Sequence, residues 1–199
     1  MAKKIAIIGG GSAYAPGIIN AFIHQAKVFS GYEIVLMDVD QETLAIVHDL
    51  SRKMAEPRGV NLKIHATTQQ KEAVTNAAYV LSTFRQGGFE ARHLDESIPL
   101  KYDIIGQETI GPGGFFFAMR TLPVIKSLLA DIKASAPEAV LINYTNPTQI
   151  VAEAVTHFSD VPCISICDQT MADKKNIRKA LGIEEDQIKL ESIGLNHAT

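Results

Sequence analysis

The sequence predicts a doubly wound α/β fold around a mostly parallel sheet. Three observations carry that expectation. Apolar runs alternate with helical stretches along all 199 residues. Most of these runs are continuous rather than alternating, as strands covered on both faces require. The first run passes through glycines straight into a helical stretch, which is how a nucleotide-binding βαβ unit opens.

The elements follow in order. A first strand is expected at 4–8, ended by three glycines, and a helix at 16–29. A second strand at 33–37 stops at Asp38, and a helix at 41–54 leads to a third strand at 62–66. A fourth strand is expected at 79–84, and a long helix at 115–133 follows a second glycine-rich stretch. Strands at 140–143 and 163–166 then alternate with helices at 147–158 and 171–181. Pro147 suits a first helical turn, where a missing N–H costs nothing, and Asn146 suits the cap before it. Residues 189–199 read as one further strand that begins something and stops. Repeated strand–helix order places helices on both faces of the sheet, a Rossmann-like arrangement.

Composition narrows the function classes. Apolar residues make up 46% of the chain and charged residues 21%, as in ordinary globular proteins. The net charge is −3 with no basic block, which argues against a nucleic-acid partner. No apolar run approaches the roughly 20 residues that cross a bilayer, so no membrane partner is expected. The apolar run after Lys4 is too short for a signal-peptide core and reads better as a strand. Cys163 and Cys167, on one strand, would face the same way but stand too far apart for a disulfide. A reducing, cytoplasmic setting is expected from them.

Four motifs sit where chemistry is done in such folds. Gly9, Gly10, Gly11 and Ser12 lie between a strand and a helix, where glycine admits a pyrophosphate and the helix start favours its charge. The third glycine of the usual G-x-G-x-x-G pattern is replaced by Tyr14. Asp38 ends the second strand, can accept from an adenosine ribose and would repel a 2′-phosphate, which favours NAD over NADP. The second glycine-rich stretch, 106–114, is open to two readings, an anion site or a flexible connection, and contains Glu108. Asn143, Tyr144, Thr145, Asn146 and Pro147 follow a strand end, and their asparagines suit either sugar hydroxyls or a helix start. Cys167 and Asp168 end another strand; a thiolate with the imidazole of His197 suits a borderline-soft divalent metal, while a lone buried cysteine is otherwise just a small apolar residue. Asp168 could be a general acid or a helix cap. The histidines at 24, 48, 65, 93 and 157 read as structural or solvent-facing and unclustered.

Taken as an ordered set, these motifs resemble the NAD- and metal-dependent glycosidases of glycoside hydrolase family 4, from Lys4 to His197. The carriers are Gly-Gly-Gly-Ser at 9–12, Arg-His-Leu-Asp-Glu at 92–96, Gly-Gln-Glu-Thr-Ile-Gly-Pro-Gly-Gly at 106–114, Asn-Tyr-Thr-Asn-Pro at 143–147, Ile-Cys-Asp at 166–168 and Gly-Leu-Asn-His at 194–197. The resemblance implies a lactate/malate dehydrogenase-like NAD-binding domain, NAD and Mn²⁺ or a similar ion as cofactors, and a phosphorylated disaccharide as substrate. It implies oxidation at the sugar C3, elimination of the C1 substituent, addition of water and reduction, an exception to the two-carboxylate scheme. By motif, Cys167 and His197 would hold the metal, Asp168 would protonate the leaving oxygen, and Glu108 would raise the basicity of the base. Arg92 and Asn146 would contact the sugar phosphate or hydroxyls. Asp after the cysteine resembles the 6-phospho-α-glucosidases, although Gln169 and Thr170 depart from the residues that usually follow.

The family's base is a tyrosine further downstream, and its helical substrate and dimerisation region has no counterpart here. Residues 1–199 are therefore expected to be a truncated NAD-binding domain with the start of a catalytic region, the longer form a homo-oligomer. Three other readings stay open: a 6-phospho-β-glucosidase, an inactive NAD-binding module, and a 2-hydroxy-acid dehydrogenase. The last would need an Asp-x-x-Arg clamp, and the chain offers Asp168-Gln169-Thr170-Met171.

Overall fold

The computed structural model describes residues 3–194. Among them the chain runs β1 (Lys4–Ile8), α1 (Ala15–His24), α2 (Ala26–Phe29), β2 (Glu33–Met37), α3 (Gln41–Ala55), β3 (Lys63–Thr67), α4 (Gln70–Val74) and β4 (Tyr79–Ser82). It continues through α5 (Gly88–Leu100), α6 (Gly111–Ser135), β5 (Val140–Asn143), α7 (Thr148–Phe158), β6 (Cys163–Ser165) and α8 (Gln169–Leu181). The described strands form one sheet in the order β3-β2-β1-β4-β5-β6, and every pairing is parallel. This is the doubly wound order, with its switch point between β1 and β4.

Alternation along the strands builds two cores. Ile5 and Ile7 of β1, with Ile34 and Leu36 of β2, pack under α1 and α3 against Ile19, Ile23, Leu44 and Val47. Ala6 and Ile8, with Val35, Met37, Val80 and Leu141, pack on the other face against Ile125, Leu128 and Ile132 of α6 and Val151 of α7. Successive side chains point to opposite faces, so a strand apolar at every position needs helices on both sides. Asp40 caps α3 by accepting from the Glu42 and Thr43 N–H groups at 2.9 and 3.2 Å.

The outer strands differ from the central ones. β3 is mostly exposed, and β6 is only three residues long, so Cys167 lies beyond it rather than on it. The shared-face argument for the two cysteines therefore does not hold, though neither cysteine forms a disulfide among the described residues. The helix expected at 16–29 is broken at Gln25, whose φ of −98° and ψ of 31° leave the helical range. The fourth strand ends at Ser82, two residues early, and the chain turns there into the site. Residues 189–194 form no strand, against expectation; 195–199 lie outside the described residues, and so does His197.

Two helices, α4 and α5, are absent from the sequence reading. α5 begins after Gly87, at φ 89°, carries Pro99 near its end and buries Asp95, so it shows no clean apolar stripe. Asp95 is paired with both terminal nitrogens of Arg120 on α6. Such a pair puts charge where periodicity looks for an apolar residue. Among the described residues no helix is long and apolar enough to cross a membrane.

Candidate active site

The loop after β1 is held by β2. The Gly9 and Gly10 N–H groups both donate to the Met37 carbonyl, at 2.9 and 2.8 Å, and the Gly11 N–H donates to Asp38 Oδ2 at 2.9 Å. A Cβ on Gly9 would stand 2.6 Å from the Thr83 carbonyl oxygen, and Gly9 has a φ of 95°. A Cβ on Gly10 would stand 2.8 Å from the Leu36 Cβ. The glycines thus let the loop press between β2 and the turn after β4. Asp38 braces the loop while remaining half-exposed, and its Oδ1 also accepts from the Asp40 N–H at 3.2 Å.

The start of α1 suits an anion. Its first turn carries no acidic side chain and its N-cap, Tyr14, makes no side-chain cap bond. Ser12 Oγ is buried with no partner. A buried hydroxyl without a partner carries a desolvation cost, which a ligand oxygen would relieve. Gly9, Gly10, Gly11, Ser12 and Asp38 therefore fit a dinucleotide.

The loops after β4, β5 and β6 reach the same carboxyl edge of the sheet. Asn143 fixes them to one another. It accepts from Ser82 Oγ at 2.8 Å and the Thr145 N–H at 3.0 Å, and donates to the Thr145 carbonyl and to Ser165 Oγ, both at 3.1 Å. All of its hydrogen-bonding capacity is used inside the protein, so Asn143 is not a sugar contact. Asn146 is different: its Oδ1 is buried and has no partner. Nor is Asn146 the helix cap, since α7 starts at Thr148 with Pro147 before it and no side-chain cap.

The second glycine stretch is neither an open anion site nor a flexible connection. Its second half is the first turn of α6, and the Gly113 N–H is spent on the Gly106 carbonyl at 2.9 Å. A Cβ on Gly113 would drive into the Gln107 carbonyl, and one on Gly106 would stand 2.6 Å from the Glu96 Cα. Gln107, at φ 57°, folds its side-chain oxygen back to the Thr109 N–H at 2.6 Å. This turn aims Glu108 at two guanidiniums. One carboxylate oxygen pairs with Arg85 and the other with Arg92 Nη2 at 3.2 Å. Arg92 Nε also reaches Glu96 at 2.6 Å.

Asp168 occupies the N-cap position of α8 but makes no cap bond, and it is exposed. Cys167 beside it is half-buried. The Tyr14 phenol gathers these groups. Its pKa is raised, first by the Asp168 carboxylate, then by burial, Cys167 and Glu108, against the opposing pull of Arg85. Charges from the turns after β4 and β6, together with Glu108, thus bear on one hydroxyl in the turn after β1. Tyr14 and Arg85 escaped the sequence reading. The signal for Tyr14 was its place at the missing third glycine; nothing local singles out Arg85.

Among the described residues no three of His, Cys, Asp and Glu gather as metal ligands. Cys167 is one of two expected ligands, and His197 is not among the described residues. His48 and His65 both line a groove of about 820 Å³ at the β3 edge, where His48 bonds the Ile64 carbonyl at 3.1 Å and His65 is exposed.

The comparisons with known proteins agree with this geometry. The family model described as family 4 glycosyl hydrolase matches residues 4–183. A probable 6-phospho-beta-glucosidase of Bacillus subtilis (strain 168) is 40% identical over 98% of this chain and 45% of its own length. The maltose-6′-phosphate glucosidase MalH of Clostridium acetobutylicum is 34% identical over 98% of this chain and 44% of its own. The structure of the Thermotoga maritima 6-phospho-beta glucosidase with manganese, NAD⁺ and glucose-6-phosphate superposes with a TM-score of 0.85, at 32% identity, covering 98% of this chain and 47% of that one. The chain thus spans about half the length of the curated relatives it matches. From its glycine turn to its last described helix, the chain belongs to family 4 of the glycosyl hydrolases.

Proposed function

We propose that this chain is the nucleotide-binding part, with the start of the catalytic region, of a 6-phosphoglucosidase that uses NAD and a divalent metal ion. One observation carries the reading: the buried side-chain oxygens of Ser12, after β1, and Asn146, after β5, lack partners at the carboxyl edge of a sheet whose glycine turn fits a dinucleotide. In the whole protein a further region completes the substrate site and the oligomer. The unbridged thiols support a reducing, cytoplasmic compartment.

When bound, NAD supplies reversible hydride acceptance at the sugar ring, and a divalent ion supplies Lewis acidity. The chain supplies the rest. The glycine turn, Ser12 and Asp38 hold the nucleotide. Arg92 binds the sugar phosphate or hydroxyls, and the unpartnered Asn146 oxygen accepts from a sugar hydroxyl. Asp168 has no cap bond to occupy it, and protonates the leaving oxygen. Glu108 is fixed by the Gln107 turn and acts on the base through its charge. Cys167 would hold the metal together with His197, which lies outside the described residues.

Asp168 after Cys167 supports the α anomer. A second reading, the β anomer, is favoured by the 40% identity to the Bacillus subtilis β-glucosidase against 34% to the maltose-6′-phosphate glucosidase. Hydrolysis of 4-nitrophenyl α- and β-glucoside 6-phosphates separates the two, with NAD⁺ and Mn²⁺ each withheld in turn. Turnover without NAD⁺, or equal turnover of unphosphorylated glucosides, sinks the proposal. NAD⁺ binding without glucose 6-phosphate binding or turnover marks a nucleotide-binding module instead.

A further inference from the structure

Glu108 stands between two arginines of unequal freedom. Arg85 has 24% of its side chain exposed, and its Cζ lies 4.6 Å over the ring of Phe117 and 5.9 Å from that of Phe89. Phe117 is itself only 2% exposed, so Arg85 is braced against the core. Arg92, on α5, has 36% of its side chain exposed. Glu108, 17% exposed, lies in a turn that the Gln107 side-chain oxygen ties by accepting from the Thr109 and Ile110 N–H groups.

The charges in this cluster balance. Two guanidiniums, Arg85 and Arg92, face two carboxylates, Glu96 and Glu108. Without Arg85, one guanidinium would face both carboxylates, and the cluster would repel an incoming anion. Electrostatic energies between such half-buried groups are several times those in water.

We propose that Arg85 is a positioning residue that sets preference for phosphorylated sugars without touching the phosphate: it shares Glu108 with Arg92 and balances its charge, so Arg92 meets the anion in a neutral rather than a negative cluster. The inference rests on the reading of Arg92 as a phosphate contact. Its logic is compensation, so it predicts rescue. Removing Arg85 should harm anion binding, and removing the Glu108 charge as well should repair it. A purely structural role for Arg85 would not be repaired by a second lost contact.

The test is calorimetric titration of the NAD⁺-saturated protein with glucose 6-phosphate and, separately, inorganic phosphate. Arg85→Met should weaken glucose 6-phosphate binding by about tenfold, as loss of one close charge pair does. Glu108→Gln should bind it at least as tightly as wild type. The double variant should return to within about threefold of wild type. Arg85→Met binding like wild type, or a double variant as weak as Arg85→Met, overturns the proposal. If Arg85→Met loses NAD⁺ affinity and is therefore misfolded, Glu108→Gln decides alone, and weaker binding by it overturns the proposal. Failure of the wild type itself to bind glucose 6-phosphate falls on the Arg92 reading and removes the inference with it.

Discussion

The Ser82 hydroxyl on β4 donates to Asn143 Oδ1 on β5 at 2.8 Å, inside the sheet and 61 positions apart in the chain. Ser82 and Asn143 are in register, and Asn143 is in register with Ser165 on β6. One buried amide therefore ties together three strands at the edge where the site forms.

Asn143→Ala removes four hydrogen bonds and leaves Ser82 Oγ buried without its acceptor. Stability should fall by about 2–4 kcal/mol, read as a lower urea midpoint with an unchanged slope. A loss under about 1 kcal/mol would show that the amide is not holding the edge.

Gly9 and Gly17 should respond oppositely to alanine. Gly9→Ala meets the Thr83 carbonyl from a φ of 95°, whereas a Cβ on Gly17 meets nothing within 4 Å. We expect Gly9→Ala to cost about 2–3 kcal/mol and abolish NAD⁺ binding. Gly17→Ala, in α1, should be neutral or stabilising by up to about 1 kcal/mol. Thermal melts and NAD⁺ titration of the pair check both.

NAD⁺ should bind more tightly than NADP⁺, because the Asp38 carboxylate stands at the end of β2 and would repel a 2′-phosphate. Fluorescence titration with both nucleotides is the check, and equal affinities would remove Asp38 from that role. Asp38→Ser should narrow the preference but weaken NAD⁺ as well, since the Gly11 N–H loses its acceptor.

Cys163 makes stability depend on alkaline pH. Burial raises its pKa, with Ser165 pulling it down more weakly. A raised thiol pKa means that the folded chain holds the proton more tightly than the unfolded one. The resulting stability is fully present below the unfolded pKa of about 8.5 and is lost as pH rises through the higher folded value. Urea midpoints of wild type and Cys163→Ala, taken from pH 7 upward, should converge with rising pH. Parallel curves would contradict it.

Mn²⁺ affinity should fall in Cys167→Ser, because a thiolate is a far better ligand than a hydroxyl for a borderline-soft ion. Titration of the NAD⁺-saturated protein is the measurement. Unchanged affinity would place any metal elsewhere.

Much of this protein is legible in the residues taken one after another. Continuous apolar runs at β1, β2, β4 and β5 specify buried parallel strands, because only such strands bury every side chain. The glycines at 9–11 with Asp38 mark the tight turn after β1, since the local backbone there must be glycine to pass Leu36 and Thr83. What the tertiary structure decided depends on partners remote in sequence. Asn143 and Asn146 look alike in the chain, yet one is saturated by Ser82 and Ser165 while the other keeps an unpartnered oxygen. α5 hides from periodicity because Asp95 is buried through Arg120, 25 positions on. Arg85 has no local signature, since its place is set by Glu108 from another loop and by the ring of Phe117. Local rules of period and turn read the scaffold; charge compensation between distant segments reads out only after folding, because its energy depends on distances that the chain order does not encode.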